Sequence, residues 1–111
     1  MIKVDSTSKT IFEGIGKMID AMVVDYSKGN NNERMFNEYK DGFKSIVGQK
    51  FIKITNGNGV KAFIVKQDNG KFKRGDILKP ASWRAPAKNS ARGNVLEGGY
   101  AIQWTGPLYL R

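Results

Sequence analysis

The sequence predicts an α+β fold in which an N-terminal helical hairpin packs on a small curved antiparallel sheet, or open barrel, of four to five strands. Three observations carry this reading. Apolar residues before Gly48 recur at helical steps, those from Phe51 onward alternate or form short strand-like runs, and the charge changes character at the same boundary. Between Met1 and Gln49 seven basic residues face seven acidic ones, whereas from Lys50 to Arg111 twelve basic residues face three acidic ones, so the whole net charge of +9 lies in the second half. A neutral helical layer over about residues 8–48 and a cationic sheet layer over about 49–111 fit a single domain with a supporting side and a polyanion-facing side.

Taken in order, Ile2 and Val4 alternate with Lys3 and Asp5 as a short edge strand or a loose end. Thr10 followed by Glu13 three residues later reads as a capping box. Behind it Ile11, Ile15, Met18, Ile19, Met22 and Tyr26 share one helical face. The run Lys28-Gly29-Asn30-Asn31-Asn32 ends that helix and offers a cap for a second. There Met35, Phe36, Tyr39, Phe43, Ile46 and Val47 share a face, closed by Gly48 and weakened by Gly42. Two amphipathic helices on a short polar loop form a hairpin whose apolar side needs a partner.

The period then changes. Phe51, Ile52 and Ile54 precede the turn Asn56-Gly57-Asn58-Gly59, and Val60, Ala62, Phe63, Ile64 and Val65 follow it, the strongest hairpin signal in the chain. Asp68-Asn69-Gly70 and Gly75-Asp76 make two further turns, with Phe72 as a core anchor between them and Ile77 and Leu78 as the next strand. From Lys79 to Gly93 neither period holds, so this stretch is a long ordered loop or one short helical turn. Tyr100, Ile102 and Trp104 alternate as a strand, with Trp104 expected in the core. Thr105-Gly106-Pro107 turns the chain, and Leu108, Tyr109 and Leu110 form a final strand of the monomer's own sheet or an edge that pairs across subunits.

The composition narrows the function. Without cysteine there is no disulfide framework, thiolate zinc site or cysteine nucleophile, and without histidine the commonest general base and every histidine-containing metal site are missing. Ser6 and Lys9 match a serine–lysine spacing only trivially, at a helix start, and Gly57 and Gly59 lack the strand-loop-helix context of a dinucleotide site. No apolar run approaches the roughly 20 residues a membrane span needs, and Asp20 and Asp25 interrupt any signal-like stretch, so a soluble, unexported protein without a cofactor is expected.

The chemistry concentrates between Lys71 and Asn94, where Lys71, Lys73, Arg74, Lys79, Arg84, Lys88 and Arg92 face only Asp76. Trp83 and two prolines are interleaved with these cations, so the stretch offers flat stacking surface and positive charge together, the combination single-stranded nucleic-acid binders use. The competing structural readings are a solvated sheet face for the cations and a hydrophobic plug for Trp83. Asp76 reads as a turn residue bonding nearby amides, and Arg92-Gly93-Asn94 as a turn that directs an arginine outward with an Asx-type bond from Asn94.

The run KFKRGDILKPASWRAPAKNSARGNVLEGGYAIQWTGPLYL, from Lys71 to Leu110, resembles a family of small proteins of tailed-bacteriophage genomes without assigned function. The likeness extends upstream through MFNEYKDGFKSIVGQKFIKI and KAFIV, covering about two thirds of the chain. It implies a phage product acting in the cytoplasm of an infected bacterium or in the virion, and it assigns no catalytic residue or ligand. Together these readings lead to a non-enzymatic nucleic-acid-binding accessory protein. Lys71, Lys73, Arg74, Lys79, Arg84, Lys88 and Arg92 meet DNA or RNA phosphates, Trp83 stacks or anchors, and single-stranded or structured targets are preferred because neither helix carries excess positive charge. The alternative is a protein-interaction module: a homo-oligomer, a virion component or an inhibitor of a host protein.

Overall fold

A computed structural model describes residues 1–108 of the chain. Its elements are β1 (Ile2–Val4), α1 (Ile11–Gly29), α2 (Glu33–Asp41), β2 (Phe43–Val47), β3 (Phe51–Asn56), β4 (Gly59–Val65), β5 (Ile77–Leu78), β6 (Tyr100–Gln103) and β7 (Gly106–Pro107). The fold is α+β, with the strands in two antiparallel sheets: β1-β6-β7 and β2-β3-β4-β5. Neither sheet closes on itself. The N-terminal segment is a true strand, pairing Ile2 with Ile102 and Val4 with Tyr100, so the two ends of the sequence build one sheet.

Thr10 caps α1 by accepting the N–H of Glu13 at 3.1 Å, while the Glu13 carboxylate returns to the N–H of Lys9 at 3.4 Å, one residue before the cap. Asn32 caps α2 in the same way through the N–H of Met35 at 3.0 Å. Of the face of α1 read from the sequence, Ile11, Ile15, Met18 and Met22 are buried and, with Ala21, pack with Ile52, Ile54, Ala62, Ile64, Ile77, Val95, Tyr100 and Ile102 in the main core, while Ile19 and Tyr26 are half-buried at its side. Helix α1 thus covers the inner face of the four-stranded sheet and the sheet of the chain ends together.

The second helix is shorter than its period suggested. It stops at Asp41, where Gly42 takes the C-cap with its N–H on the Tyr39 carbonyl, and Phe43–Val47 form β2, paired residue by residue with β3 from Phe43↔Asn56 to Val47↔Ile52. Phe43, Ile46 and Val47 fit a helical face by spacing, but β-branched and aromatic side chains also suit a strand. The pairing available from β3 decides between the two. The Gly57 turn makes the expected β3–β4 hairpin, with Gly57 at φ +58. Register slips between Ile54 and Thr55, leaving Lys61 as an extra residue on β4.

Alternation along β3 and β4 creates a second apolar surface. Ile52, Ile54, Ala62 and Ile64 point to the main core, whereas Phe63 and Val65 point outward and join Phe72 and Leu78 in a smaller cluster, with Phe51, Val60 and Ala91 against it. Phe72 is the expected anchor, 8% exposed. Trp104 departs from the core position its alternation suggested: β6 ends at Gln103, Trp104 falls in the turn before β7 and is 44% exposed. Its N–H donates to Asp25 at 2.9 Å and its ring lies edge-on to Tyr26. Tyr109 and Leu110, read as part of a last strand, lie outside the described residues.

Two predictions follow from the packing of α1 and β6. A Cβ at Gly14 would stand 2.4 Å from the Val95 carbonyl oxygen, while one at Gly16, two residues on, would meet nothing within 4 Å. Gly16→Ala should therefore stabilise by up to about 1 kcal/mol through helix propensity, and Gly14→Ala should destabilise despite the same gain; chemical denaturation of both variants measures the contrast. The Tyr100 hydroxyl is buried without a hydrogen-bond partner among the described residues, and burial pushes its pKa up to about 12. Because the folded value lies above the unfolded one, the stability Tyr100 contributes is complete below about pH 10 and is lost as pH rises through 12. Tyr100→Phe should raise stability by about 1 kcal/mol at neutral pH and reduce the alkaline loss, read by urea titrations at several pH values.

Candidate nucleic-acid interface

The long loop is held at its base by two buried side chains, Asp76 and Asn94. The Asp76 carboxylate accepts the N–H of Lys73 at 2.8 Å and the Asn94 side-chain amide at 3.0 Å. That amide also donates to the Arg74 carbonyl at 3.0 Å, and the Asn94 oxygen accepts the N–H groups of Leu96 and Glu97 at 2.8 and 3.1 Å. Both residues play the structural parts expected of them, as a turn former and an Asx-type acceptor. Backbone bonds continue the closure, with Ile77 N–H on Gly93 O and Arg92 N–H on Ile77 O.

Beyond this base the chain returns on itself as a narrow non-helical hairpin. Pro80 bridges Pro86, Ala87 N–H reaches Lys79 O at 2.7 Å, and Ala81 N–H reaches Ala85 O at 3.0 Å. At the tip the Ser82 hydroxyl oxygen accepts the N–H groups of Arg84 and Ala85 at 3.3 and 3.2 Å. Trp83 and Arg84 therefore sit on a tip fixed by its own backbone, and both are exposed.

The seven cations do not act alike. Arg92 is directed inward: its guanidinium donates to Ser90 O at 3.2 Å, Leu108 O at 2.8 Å and Asn89 Oδ1 at 3.2 Å, which corrects its assignment as an outward phosphate contact. Fixed carbonyls in a half-buried site outcompete solvent for a five-donor group. Lys79, also half-buried, donates to Pro107 O at 2.7 Å; burial and the neighbouring Arg92 charge lower its pKa. Lys71 donates to Asn89 O and lies 5.3 Å over the Phe72 ring, tying the two limbs of the loop together. Lys73 pairs with Glu97 at 3.4 Å in an exposed ion pair. Arg74 is exposed on the turn below the loop, and its backbone N–H rests on Asp68 at 2.9 Å.

Trp83, Arg84 and Lys88, by contrast, come together over the outer face of β3 and β4. Lys53 Nζ stands 4.7 Å from the centre of the Trp83 ring, Lys88 Nζ stands 6.0 Å from that of Phe51, and Phe51 meets Phe63 edge to face at 6.1 Å. A cleft of about 220 Å³ runs between Arg84 and the start of β3, lined by Ile46, Lys50, Lys53 and Phe63 among others and by no acidic residue. Trp83, 49% exposed, is neither a buried plug nor isolated from charge. Lys50, Lys53 and Phe51 were missed as site residues. Their signal was the alternation of Phe51 and Lys53 with Ile52 and Ile54, which puts a cation and a ring on the face turned away from the core.

A second lysine–tryptophan contact forms on the other side of the hairpin. The extra residue Lys61 places its ammonium 5.5 Å from the Trp104 ring centre and 5.9 Å from that of Tyr39, and burial lowers its pKa. Tyr39 stacks on Tyr26 at 4.1 Å and donates its hydroxyl to Trp104 O at 2.6 Å. These contacts pin α2 and the β6–β7 turn to β4.

The architecture is thus an α+β domain with one helix-covered sheet face and one cationic, aromatic face. The chain belongs to a family of unknown function, DUF7717, whose model matches residues 3–110. No curated protein and no solved structure matches it. No helix among the described residues is long and apolar enough to cross a membrane.

The clamp at the loop base generates a prediction. Asn94→Ala removes two donations and two acceptances at a buried site and leaves the Asp76 carboxylate short of a partner, so a loss of about 2–4 kcal/mol is expected by urea denaturation. Arg84→Ala, at the exposed tip, should stay within about 0.5 kcal/mol of the parent.

Proposed function

We propose that this chain is a non-enzymatic, phage-encoded accessory protein that binds single-stranded or structured nucleic acid along the outer face of β2–β5. The carrying observation is the convergence of Lys53 and Trp83, with Lys88 and Arg84 beside them, over a surface whose cleft has no acidic lining. Lysine ammonium groups and the Arg84 guanidinium supply phosphate contacts, and the exposed indole supplies a stacking surface for a base. Trp83 and Arg84 stand on a hairpin tip whose turn is already hydrogen-bonded, so little ordering entropy opposes the contact. What supports the phage origin is the resemblance of the Lys71–Leu110 run, and the proposed location, the cytoplasm of an infected bacterium or the virion, rests on that origin.

The binding role moves from the whole basic loop to a smaller set: Lys50, Lys53, Trp83, Arg84 and Lys88, with Arg74 at the margin. Fluorescence anisotropy of labelled single-stranded oligonucleotides across a salt series tests it. Four phosphate contacts give a slope of log affinity against log salt near −3. Lys53→Ala, Arg84→Ala and Lys88→Ala should each reduce that slope by about 0.7, and Trp83→Ala should cost about 1–3 kcal/mol of affinity. Lys9→Ala, on the helical side, should change neither. Absence of binding at low salt, or equal effects from Lys9 and Lys53, ends the proposal.

A further inference from the structure

The outermost strand of the four-stranded sheet carries a second surface, an open edge that borders the cationic face at Ile46. Among the described residues strand β2 pairs only with β3, and four of its five residues are exposed, including Ile46 at 46% and Val47 at 55%. An open edge of this kind exposes main-chain donors and acceptors, and proteins commonly blunt it with proline, a bulge or several charges. Here the strand Phe-Lys-Ser-Ile-Val holds no proline, pairs without a register shift and bears one charge, Lys44.

The phase of its hydrogen bonds follows from two neighbours. Gly48 N–H donates to Phe51 O at 2.8 Å, which makes Gly48 and Phe51 a hydrogen-bonded pair, and Lys66 N–H donates to Lys50 O at 3.0 Å on the other side of β3. Antiparallel ladders alternate, so Ile46 and Lys44 bond inward to Lys53 and Thr55, while Phe43, Ser45 and Val47 direct their N–H and C=O groups out from the edge.

We infer that β2 is a self-complementary seam through which two copies of this chain pair antiparallel about a two-fold axis at Ser45. In that register Ser45 faces Ser45 of the second copy, Phe43 faces Val47 and Lys44 faces Ile46. Every outward main-chain group of Phe43, Ser45 and Val47 then meets another outward group, since the positions that pair are the positions left open. The side chains agree with the backbone. Phe43 and Val47 form an apolar pair on one face, the lysine stem lies along Ile46 on the other, and the two Lys44 charges are offset rather than opposed. A second copy is the occupant because its complementarity needs no sequence outside these five residues. A two-fold contact requires a patch that matches itself, and the Ser45-centred register provides one. Five residues a side is far below the roughly 20–30 of a stable interface, so the association is weak and concentration-dependent. Each partner carries a net charge of +9, so added salt strengthens it by screening repulsion.

The absence of cysteine makes the register testable by cross-linking in the full chain. Ser45→Cys should form a disulfide-linked dimer under mild oxidation, because facing Cα atoms about 5.5 Å apart lie within disulfide reach. Lys44→Cys and Ile46→Cys alone should not, their own copies lying about 7–8 Å apart, but a mixture of the two should cross-link. Ser27→Cys, on the exposed side of α1, sets the level of chance collision. Val47→Pro removes an outward N–H that no internal bond uses, so sedimentation velocity should show its self-association lost while circular dichroism stays that of the parent. Cross-linking of Ser45→Cys at the Ser27→Cys level, equal reaction at all three β2 positions, or undiminished association of a folded Val47→Pro chain overturns the seam.

Discussion

The fold depends on one buried contact, between the Asp76 carboxylate and the Asn94 side-chain amide at 3.0 Å. Two turns, at Lys73–Asp76 and at Asn94–Glu97, lie far apart in sequence, and each needs an acceptor for its amides. Each side chain supplies that acceptor to its own turn and then bonds to the other. The exchange leaves few polar atoms unmet in a site that water does not reach, the condition under which a polar network stabilises rather than costs. It also fixes Val95, whose N–H bonds Gly75 O and whose carbonyl lies where Gly14 lets α1 approach. The helix therefore docks on a surface made by the clamp, and the loop between the two clamp residues inherits a rigid base.

That base explains why the cations of the loop divide. Those near it are close to carbonyl groups left free where strands are short: Arg92 and Lys79 satisfy Leu108 O and Pro107 O, and Lys71 satisfies Asn89 O. Partial burial makes the Arg92 and Lys79 contacts worth more than exposed ion pairs and makes those two side chains poor candidates for a ligand, while Lys71, though exposed, is held by its bond across the loop. Farther out, the side chains of Arg84 and Lys88 make no hydrogen bond or ion pair among the described residues, and they lie over the outward residues of β3. Charge that looks uniform along the sequence is thus internal strut at one end of the loop and open surface at the other.

The sequence disclosed most elements whose signal is local. Thr10 with Glu13, Asn32, and the Asn56–Gly59 turn each announce a boundary through chemistry completed within four residues. It misled where two periods coincide. Tyr39, Phe43, Ile46 and Val47 satisfy a helical step, yet Phe43, Ser45 and Val47 also satisfy a strand step, and only pairing with the following Phe51–Asn56 strand decides between them. Trp104 failed for a related reason, because alternation through Tyr100 and Ile102 says nothing about where the strand stops. The clustering of basic residues was legible, but which of them remain open depends on carbonyls such as Pro107 O, far away in the chain. Lys53 went unnoticed although its alternation with Ile52 and Ile54 already placed it opposite the core.

The cationic face and the β2 edge are coupled through charge. Ile46 belongs to both, exposed at the edge and lining the cleft beside Lys53 and Arg84. Two copies joined along β2 would bring two outer faces side by side on one continuous sheet, at the expense of bringing two strongly positive surfaces together. A polyanion bound as proposed would remove that repulsion, since each cation neutralised on one copy lowers the repulsion felt by the other. Linkage then works both ways: whatever factor nucleic acid contributes to pairing, pairing contributes to nucleic-acid affinity. A seam that holds two free molecules together only weakly would in this way be strengthened on a nucleic-acid strand whose phosphates neutralise both copies, so that the proposed ligand would favour assembly without being required for it.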